Sequence, residues 1–402
     1  GLRNLDNNCY LNAIMQCMLH TPILATSLAP ACSRQDEQWL RELAIFFLRV
    51  DLARNTGHRV SAAQIRDLIT TNKEFARGNQ ADAHEAFMFI LSKLLHGCLK
   101  VGDGSQEDLT QLKTYKETEA MERDSFIGNI FGLDLGQIVS CSSCNYESFS
   151  THIEYCLCIS IALGLEDSML PSLMSKAGAP PTDITTLLRL HTEKHTLEGF
   201  KCERCGANGG NRWECFHRRP NVLTIYIDRS KDHSRFGKTK RHVQAEQRLD
   251  LHPYCRPAGI SVSEHRYSYS LCGVVVHKDV DHSTDRGHYV AYVIDRSKDW
   301  FLVDDVHVEK VSWERVQSQE AYLLFYAADI SDPPAAERCV ATCLETSPQQ
   351  SEPESVVVNP EQLCENSIAA KGELVSSNAK LNVLTTCFFD FDALDALQDL
   401  PL

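Results

Sequence analysis

Apolar side chains recur with helical spacing in the first quarter of the chain and with strand-like spacing in much of the rest. The helical pattern predicts four helices, at residues 10–20, 38–53, 61–70 and 81–99. Runs rich in β-branched and aromatic residues predict strands after residue 126, at residues 136–140, 146–161, 221–228, 267–277, 288–295, 300–303 and 321–326. Segments 102–107 and 171–181 have loop composition. Helices followed by strands indicate an α+β fold.

This pattern stops beyond residue 327. Residues 331–386 are rich in Ser, Pro, Glu, Gln and Asn, a composition that buries too little apolar surface to fold alone. In segment 388–400 acidic and bulky apolar residues alternate, which favours a helix that folds into a partner's groove, although accidental apolar character in a disordered tail explains it as well. We therefore divide the chain into a folded domain, residues 1–328, and a mostly disordered tail, residues 329–402.

Charge is distributed unevenly between these parts. The 402 residues carry a formal net charge of −14, and the tail from Asp329 onward contains 13 acidic and 3 basic residues, so residues 1–328 carry only −4. An acidic chain does not fit a nucleic-acid surface, which needs clustered Lys and Arg. The basic run 229–241 is predicted to be a solvated loop, with phosphate or substrate contact as the alternative.

The 17 cysteines are interpreted as reduced thiols rather than as a disulfide framework. The sequence shows neither a secretory leader nor an apolar run long enough to cross a bilayer, so we expect no membrane association and reduced thiols, as in the cytoplasm or nucleus. The chain opens on Gly1 instead of methionine, and we expect that further residues precede it in a longer product.

A cysteine near one end and a His/Asp pair near the other favour a papain-like thiol protease. The thiolate, not the thiol, attacks a carbonyl, and Cys9 lies where a predicted helix begins, so the positive end of the helix dipole favours its ionised form. His288 can take the thiol proton, and an acceptor must orient its ring. Asp304 and Asp305 both offer that acceptor, and Asn4 could place an amide in an oxyanion hole.

Two Cys-x-x-Cys pairs form a second group. Cys141 and Cys144, with Cys202 and Cys205, supply four thiolates, which suit a tetrahedral structural zinc. A redox pair or plain buried thiols are the alternatives. Three cysteines nearby have the wrong spacing for ligands and are interpreted as strand residues: Cys156, Cys158 and Cys215.

Three segments, in this order along the chain, resemble the Cys-box, the Gln-box and the His-box of the ubiquitin-specific proteases. They are residues 1–12 (GLRNLDNNCYLN), residues 78–87 (GNQADAHEAF) and residues 287–292 (GHYVAY), the last followed by residues 300–305 (WFLVDD). The resemblance implies a papain-like fold with a helical thumb, a β-rich palm carrying His288 and zinc-tipped β fingers at about 136–226. It also implies structural zinc on the four cysteines, and ubiquitin and ubiquitinated proteins as partners.

The resemblance further implies hydrolysis of the bond after the C-terminal glycine of ubiquitin. Cys9 would be the nucleophile, His288 the general base and then acid, Asp304 the orienting residue with Asp305 as its alternative, and Asn4 the oxyanion donor. Gln80 and Asp82 would hold the catalytic helix or the substrate's tail; without the resemblance they are interpreted as a solvated helix start capped by Asp82.

The chain departs from this family where Asp6 and Asn8 replace the usual glycine and threonine before the nucleophile. Asp tolerates the positive φ that glycine provides there, but its carboxylate disfavours a thiolate. Asn8 can serve as a turn or cap residue. Two other functions remain open: a catalytically weak or silent ubiquitin-binding scaffold of the same fold, and a zinc-ribbon binding module, which explains the four cysteines alone.

Overall fold

The computed structural model describes residues 1–28, 37–56, 60–101, 115–162, 181–229, 241–255, 267–279 and 287–329. The predicted loops 102–107 and 171–181, apart from Pro181, lie outside these residues. The predicted tail lies outside them too, except for Asp329, so segment 388–400 stays a prediction. Among the described helices none is both long and apolar enough to cross a membrane.

Helices occupy the N-terminal third of the described chain and form the thumb. They are α1 (Cys9–Leu19), α2 (Pro22–Leu28), α3 (Gln38–Thr56), α4 (Ala63–Ile69), α5 (Ala83–Val101), α6 (Tyr115–Asp124) and α7 (Phe126–Phe131). The four predicted helices are confirmed as α1, α3, α4 and α5. The prediction that the chain turns to β structure after residue 126 did not foresee α7. Ser125 Oγ accepts a hydrogen bond from Gly128 N at 2.9 Å and caps this helix, which is too short to show a period.

A four-stranded antiparallel sheet forms the fingers. Its strands are β1 (Leu133–Cys141), β2 (Glu147–Glu154), β5 (His195–Lys201) and β6 (Asn208–Arg218), in the order β2-β1-β6-β5. The predicted single strand 146–161 is wrong, because the chain leaves this sheet after β2 and enters the other sheet as β3 (Leu157–Ser160). Of the three cysteines interpreted as strand residues, Cys156 lies between β2 and β3, while Cys158 and Cys215 are in strands.

An eight-stranded sheet forms the palm. Seven strands follow the order β13-β12-β11-β10-β14-β7-β3, and β9 pairs with β10. Their bounds are β7 (Val222–Asp228), β9 (Arg248–Asp250), β10 (Ser268–Asp279), β11 (Gly287–Ile294), β12 (Trp300–Asp304), β13 (His307–Val311) and β14 (Ala321–Ala328). Two-residue strands β4 (Thr182–Asp183) and β8 (Val243–Gln244) pair separately, and two further helices are α8 (Ile184–His191) and α9 (Trp313–Gln317). Since β7 belongs to the palm, the fingers end at β6, short of the predicted residue 226.

Both faces of the palm are buried, which explains the unbroken apolar run of β14. Leu323 and Phe325 belong to the core shared with the thumb, whereas Leu324 and Tyr326 belong to the core on the opposite face. Successive strand residues point to opposite faces, so a strand covered on both sides is apolar throughout.

Helix α1 is the centre of the thumb core. All of its residues are buried, and it packs on β10, β11 and β12. A side chain on Gly273 of β10 would come within 2.9 Å of Cys17 Sγ, so glycine allows the helix to lie close to the sheet. The helix that begins with Cys9 is thereby packed against the strand that carries His288.

The borders of two sequence-predicted regions are corrected by burial. Arg229 and Arg241, the ends of the predicted solvated loop, are each only 7% exposed and donate to backbone carbonyls, Arg229 Nη2 to Ala321 O at 3.0 Å. Asp329, assigned to the tail, accepts hydrogen bonds from Ser268 Oγ and Ser270 Oγ at 2.8 and 2.6 Å and is therefore part of the folded domain.

Candidate active site

The residues before Cys9 form a tight turn held by their own side chains. Asn4 Oδ1 accepts from Asn8 N at 3.0 Å, and Asn8 Oδ1 accepts from Leu5 N at 2.6 Å. Asn8 occupies the N-cap position of α1, but its side chain holds the turn and makes no cap hydrogen bond to the helix. The predicted turn role of Asn8 therefore applies and the cap role does not.

Two successive residues in this turn have left-handed backbone geometry, Asp6 with φ 60° and Asn7 with φ 62°. Asp and Asn are the non-glycine residues that adopt this region most readily, because their short polar side chains form local hydrogen bonds. Asn7 Nδ2 donates to Gly78 O at 3.0 Å, which fixes the turn to the segment before α5. The sequence-based expectation of positive φ at Asp6 is thus confirmed.

His288 and Asp304 lie on neighbouring strands of the palm, β11 and β12. His288 Nε2 lies 2.6 Å from Asp304 Oδ1. Cys9 is the other hydrogen-bonding group that acts on the imidazole. The hydrogen bonds to Cys9 and Asp304 outweigh burial and raise the pKa of His288 to about 9.

Asp305 makes a different set of contacts. Its Oδ2 accepts from Asn4 Nδ2 and its Oδ1 from Asn12 Nδ2, both at 2.8 Å. The Asp305 carbonyl also accepts from Leu2 N at 2.8 Å. The two carboxylates that the sequence leaves as alternatives are therefore separated by geometry: Asp304 holds His288, and Asp305 holds the N-terminal segment and its Asn4.

Lys278 was missed by sequence reasoning. In the antiparallel pairing of β10 with β11 it lies directly opposite His288, and its Nζ lies 3.8 Å from Asp304 Oδ2. This cation therefore lies within ion-pair distance of the carboxylate that also holds His288. The sequence carries no local signal for this contact, because it arises from strand register alone.

The Gln-box residues connect the thumb to the palm. Gln80 Oε1 accepts from Gly287 N at 3.0 Å, one residue before His288. Asp82 Oδ1 caps α5 through His84 N and Glu85 N, at 2.7 and 3.1 Å. The predicted capping role of Asp82 is confirmed.

The other oxygen of Asp82 bonds two tyrosines of the palm. Asp82 Oδ2 accepts from Tyr289 OH at 3.4 Å and from Tyr322 OH. His84 stacks on Tyr226 with ring centroids 4.1 Å apart, and burial lowers its pKa. The interpretation of this segment as a purely solvated helix start is therefore wrong.

The four predicted cysteines meet at the tip of the fingers. Cys141 Sγ lies 3.7 Å from Cys205 Sγ, Cys144 Sγ lies 3.8 Å from Cys202 Sγ, and all four sulfurs lie within 4.8 Å of one another. A disulfide would bring two sulfurs to about 2.05 Å. Corners of a tetrahedron drawn at about 2.3 Å around a metal are about 3.8 Å apart. The spacing therefore fits a group that could hold one metal ion.

Known proteins resemble the chain in sequence. The family model described as ubiquitin carboxyl-terminal hydrolase matches residues 1–326. Ubiquitin carboxyl-terminal hydrolase 16 of Arabidopsis thaliana is 28% identical over 393 residues, which cover 94% of this chain and 35% of that protein. Ubiquitin C-terminal hydrolase 15 of Oryza sativa subsp. japonica is 30% identical over 345 residues, covering 83% and 32%. The chain thus spans about a third of the length of these relatives.

A solved structure shares the fold. A chain of the SAGA Ubp8/Sgf11/Sus1/Sgf73 DUB module bound to ubiquitin aldehyde aligns with TM-score 0.62 at 21% identity, over 83% of this chain and 70% of its own length. The expected α+β architecture of thumb, palm and fingers is thereby confirmed. With a family model that matches four-fifths of its length, the chain belongs to the ubiquitin carboxyl-terminal hydrolase family.

Proposed function

We propose that the chain is a thiol-dependent deubiquitinase, which hydrolyses the peptide or isopeptide bond after the C-terminal glycine of ubiquitin. One arrangement carries the proposal: His288 Nε2 lies 2.6 Å from Asp304 Oδ1, and Cys9 begins the helix that packs on the strand carrying His288. Family membership supports ubiquitin as the substrate. Ubiquitinated proteins are the corresponding partners.

In the first step His288 takes the proton of Cys9, and the thiolate attacks the carbonyl carbon of the terminal glycine. The tetrahedral intermediate collapses, the C–N bond breaks, and the imidazolium gives its proton to the leaving amine. A water then loses a proton to His288 and hydrolyses the thioester, which releases the ubiquitin carboxylate and restores the thiol. Asp304 keeps the His288 ring in the orientation that both proton transfers require.

Asn4 is the proposed side-chain donor to the oxyanion. Its amide nitrogen carries two hydrogens, and one is directed at Asp305 Oδ2 at 2.8 Å. This contact fixes the side-chain rotamer and leaves the second N–H available. Preorganised donors stabilise the charge that develops on the carbonyl oxygen, and Asp305 is the residue that preorganises this one.

Labelling with a ubiquitin probe that carries a C-terminal electrophile tests the enzyme assignment. We expect one probe adduct per chain, on Cys9, and hydrolysis of a fluorogenic ubiquitin substrate that is abolished in Cys9→Ser while ubiquitin binding survives. A chain that binds ubiquitin but neither reacts with the probe nor hydrolyses the substrate would instead be a silent scaffold of the same fold. Cys158→Ser is the matched control, because this exposed cysteine lies on β3 and outside the site.

We also propose that the four-cysteine group holds a structural zinc ion. Four cysteine ligands are typical of closed, non-catalytic zinc sites. The backbone N–H groups of Cys144 and Ser143 lower the pKa of Cys141 to about 6, which favours the thiolate that binds metal. Free thiols at the described cysteines also support a reducing compartment, the cytoplasm or the nucleus.

A further inference from the structure

The negative charge nearest to Cys9 in sequence has a defined partner in the fold. Asp6 lies three residues before Cys9, where the related family usually has an uncharged glycine. Its Oδ2 lies 3.1 Å from Arg66 Nη1 on α4, 60 residues away. The carboxylate is therefore paired within the protein and does not face the nucleophile as an isolated charge.

Arg66 is held in place for this contact from its other side. Its Nε and Nη2 both bond Asp67 Oδ1, at 3.2 and 2.9 Å, which leaves Nη1 directed at Asp6. The Arg66 side chain is only 13% exposed, whereas that of Asp6 is 54% exposed. An arginine packed in this way loses little further conformational entropy when it binds the carboxylate. Arg77 Nη2 joins the cluster through Asp67 Oδ1 at 2.9 Å.

The pair also acts on the backbone. Asp6 and Asn7 adopt positive φ in succession without a glycine, and both side chains are tied to other parts of the thumb, Asp6 to Arg66 and Asn7 to Gly78 O. Left-handed non-glycine residues persist where surrounding contacts hold them. This turn places Asn4 on one side and Cys9 on the other, so its geometry sets the distance between the two groups.

We propose that Arg66 is a positioning residue of the active site, which neutralises Asp6 and holds the left-handed turn that presents Asn4 and Cys9. The inference rests on the proposed function, since it takes Cys9 as the nucleophile. Arg66 touches no reacting atom and acts through Asp6. In effect an ion pair does here what a glycine does in related chains, providing the turn without a net charge beside the thiolate.

Alkylation of Cys9 by a neutral and an anionic reagent tests the charge effect without ubiquitin. Initial rates with iodoacetamide and iodoacetate are measured at the Cys9 peptide by mass spectrometry. In Arg66→Gln we expect the iodoacetate rate to fall about twofold relative to the iodoacetamide rate, as for one uncovered charge within about a Debye length. Adding Asp6→Asn should restore the ratio, and Asp6→Asn alone, which leaves Arg66 unpaired by Asp6, should raise it.

Arg77→Gln is the matched control, because it removes a neighbouring arginine of the same cluster that has no contact with Asp6; its ratio should equal that of the unmodified chain. If the ratio of the iodoacetate rate to the iodoacetamide rate is unchanged in Arg66→Gln, the charge effect is overturned. If Arg66→Gln does not fold, an unchanged ratio in Asp6→Asn overturns it instead. For positioning, kcat/KM on a fluorogenic ubiquitin substrate should fall about threefold or more in Arg66→Gln. The value of kcat/KM should recover when Asp6→Gly is added to Arg66→Gln. Failure to recover would overturn the positioning role of Arg66.

The two hypotheses fail in different ways. If the unmodified chain does not hydrolyse the ubiquitin substrate, the proposed function fails, whereas the alkylation ratios still report the effect of Arg66 on Cys9. If hydrolysis is normal and the ratios do not respond to Arg66 or Asp6, the inference about Arg66 fails and the proposed function stands.

Discussion

Asp304 and Asp305 are identical side chains in adjacent positions, and the backbone gives them different tasks. Asp304 is the last residue of β12, so its side chain follows the strand and meets His288 on the neighbouring strand. Asp305 has φ 50°, which breaks the alternation of a strand and turns its carboxylate toward Asn4 and Asn12 of the thumb. Substituting Asp304 and Asp305 one at a time can therefore test the orientation of His288 separately from the support of Asn4.

Asp304→Asn should lower kcat/KM about 10²- to 10⁴-fold, because a neutral amide replaces the carboxylate that holds the His288 ring and stabilises its imidazolium form. The hydrogen bonds to Cys9 and Asp304 raise the pKa of His288 to about 9, so below that pH the ring retains the proton that it takes from Cys9. The unmodified chain should therefore lose activity as pH rises through about 9 and this proton is lost. Removing Asp304 removes one cause of the increase, and the alkaline limb of the pH profile should move to lower pH. Steady-state assays between pH 6 and 10 measure both effects.

Asp305→Asn is the matched control for Asp304→Asn, because it makes the same chemical change at the adjacent residue. It should reduce kcat through a less well held Asn4, by less than the roughly 10²- to 10³-fold that loss of an oxyanion donor costs, and leave the alkaline limb in place. If Asp305→Asn moves that limb and Asp304→Asn does not, the assignment of the two carboxylates is reversed.

At the scale of elements, the two cysteine knuckles repeat one local design. In each, the residue four positions after the first cysteine has positive φ, Asn145 at 53° in one and Gly206 at 72° in the other. The N–H of that residue donates to the carbonyl of the first cysteine, Asn145 N to Cys141 O at 3.1 Å and Gly206 N to Cys202 O at 2.9 Å. Both turns end hairpins of the fingers, and the central pairing of β1 with β6 brings them together.

Purified chain should contain about one equivalent of zinc, measured by elemental analysis. Chelation should lower the thermal midpoint, because metal bound to the folded state stabilises it. Cys144→Ser should lose the metal, and Cys158→Ser, a substitution on the palm, should retain it. A midpoint indifferent to chelator, in a chain that contains no zinc, would contradict the structural site.

Across the whole molecule, the active site depends on how thumb and palm are joined. Asp82 contributes to the thumb as the cap of α5 and to the palm as the acceptor for Tyr289, next to His288, and Tyr322. Gln80 adds a second connection through Gly287 N. A side chain on Gly287 would overlap the ring of His277, with 1.8 Å to Nε2, so glycine lets that ring lie against the strand between these connections.

Asp82→Ala should therefore lower the free energy of unfolding by more than the loss of a helix cap does. Loss of a cap is worth about 1 kcal/mol, and Asp183→Ala provides that reference. Asp183 caps α8 by accepting from Thr186 N at 2.6 Å and from Thr186 Oγ1 of the same turn at 3.0 Å. Asp82→Ala leaves two tyrosine hydroxyls without their acceptor as well and should exceed this reference by about 1 kcal/mol or more. Urea denaturation measures both variants. Of the two variants, only Asp82→Ala should also lower kcat/KM. Equal effects of Asp82→Ala and Asp183→Ala on stability and on kcat/KM would contradict the role of Asp82 in joining thumb and palm.

The helices and strands predicted correctly are those that bury a strong apolar pattern, such as α1, α5 and β14. Elements with exposed faces escaped prediction. Strand β5 is mostly exposed and shows no alternation of buried and exposed residues, and β6 begins with two glycines close behind its first residue, so neither has the pattern of a half-buried strand. Helix α8 has eight residues, little more than two turns, which is too short for helical spacing to stand out.

The sequence by itself determined the candidate residues, because motifs are local. The two Cys-x-x-Cys pairs follow from residue type and spacing, and Cys9 and His288 from residue type together with the resemblance of the Cys-box and His-box to the ubiquitin-specific proteases. Only the tertiary structure decided which carboxylate orients His288, what neutralises Asp6 and what lies opposite His288 across the sheet. These contacts join Asp304 to His288, Arg66 to Asp6, and Lys278, which lies opposite His288, to Asp304. They depend on turns, helix packing and strand register, which a local pattern does not encode.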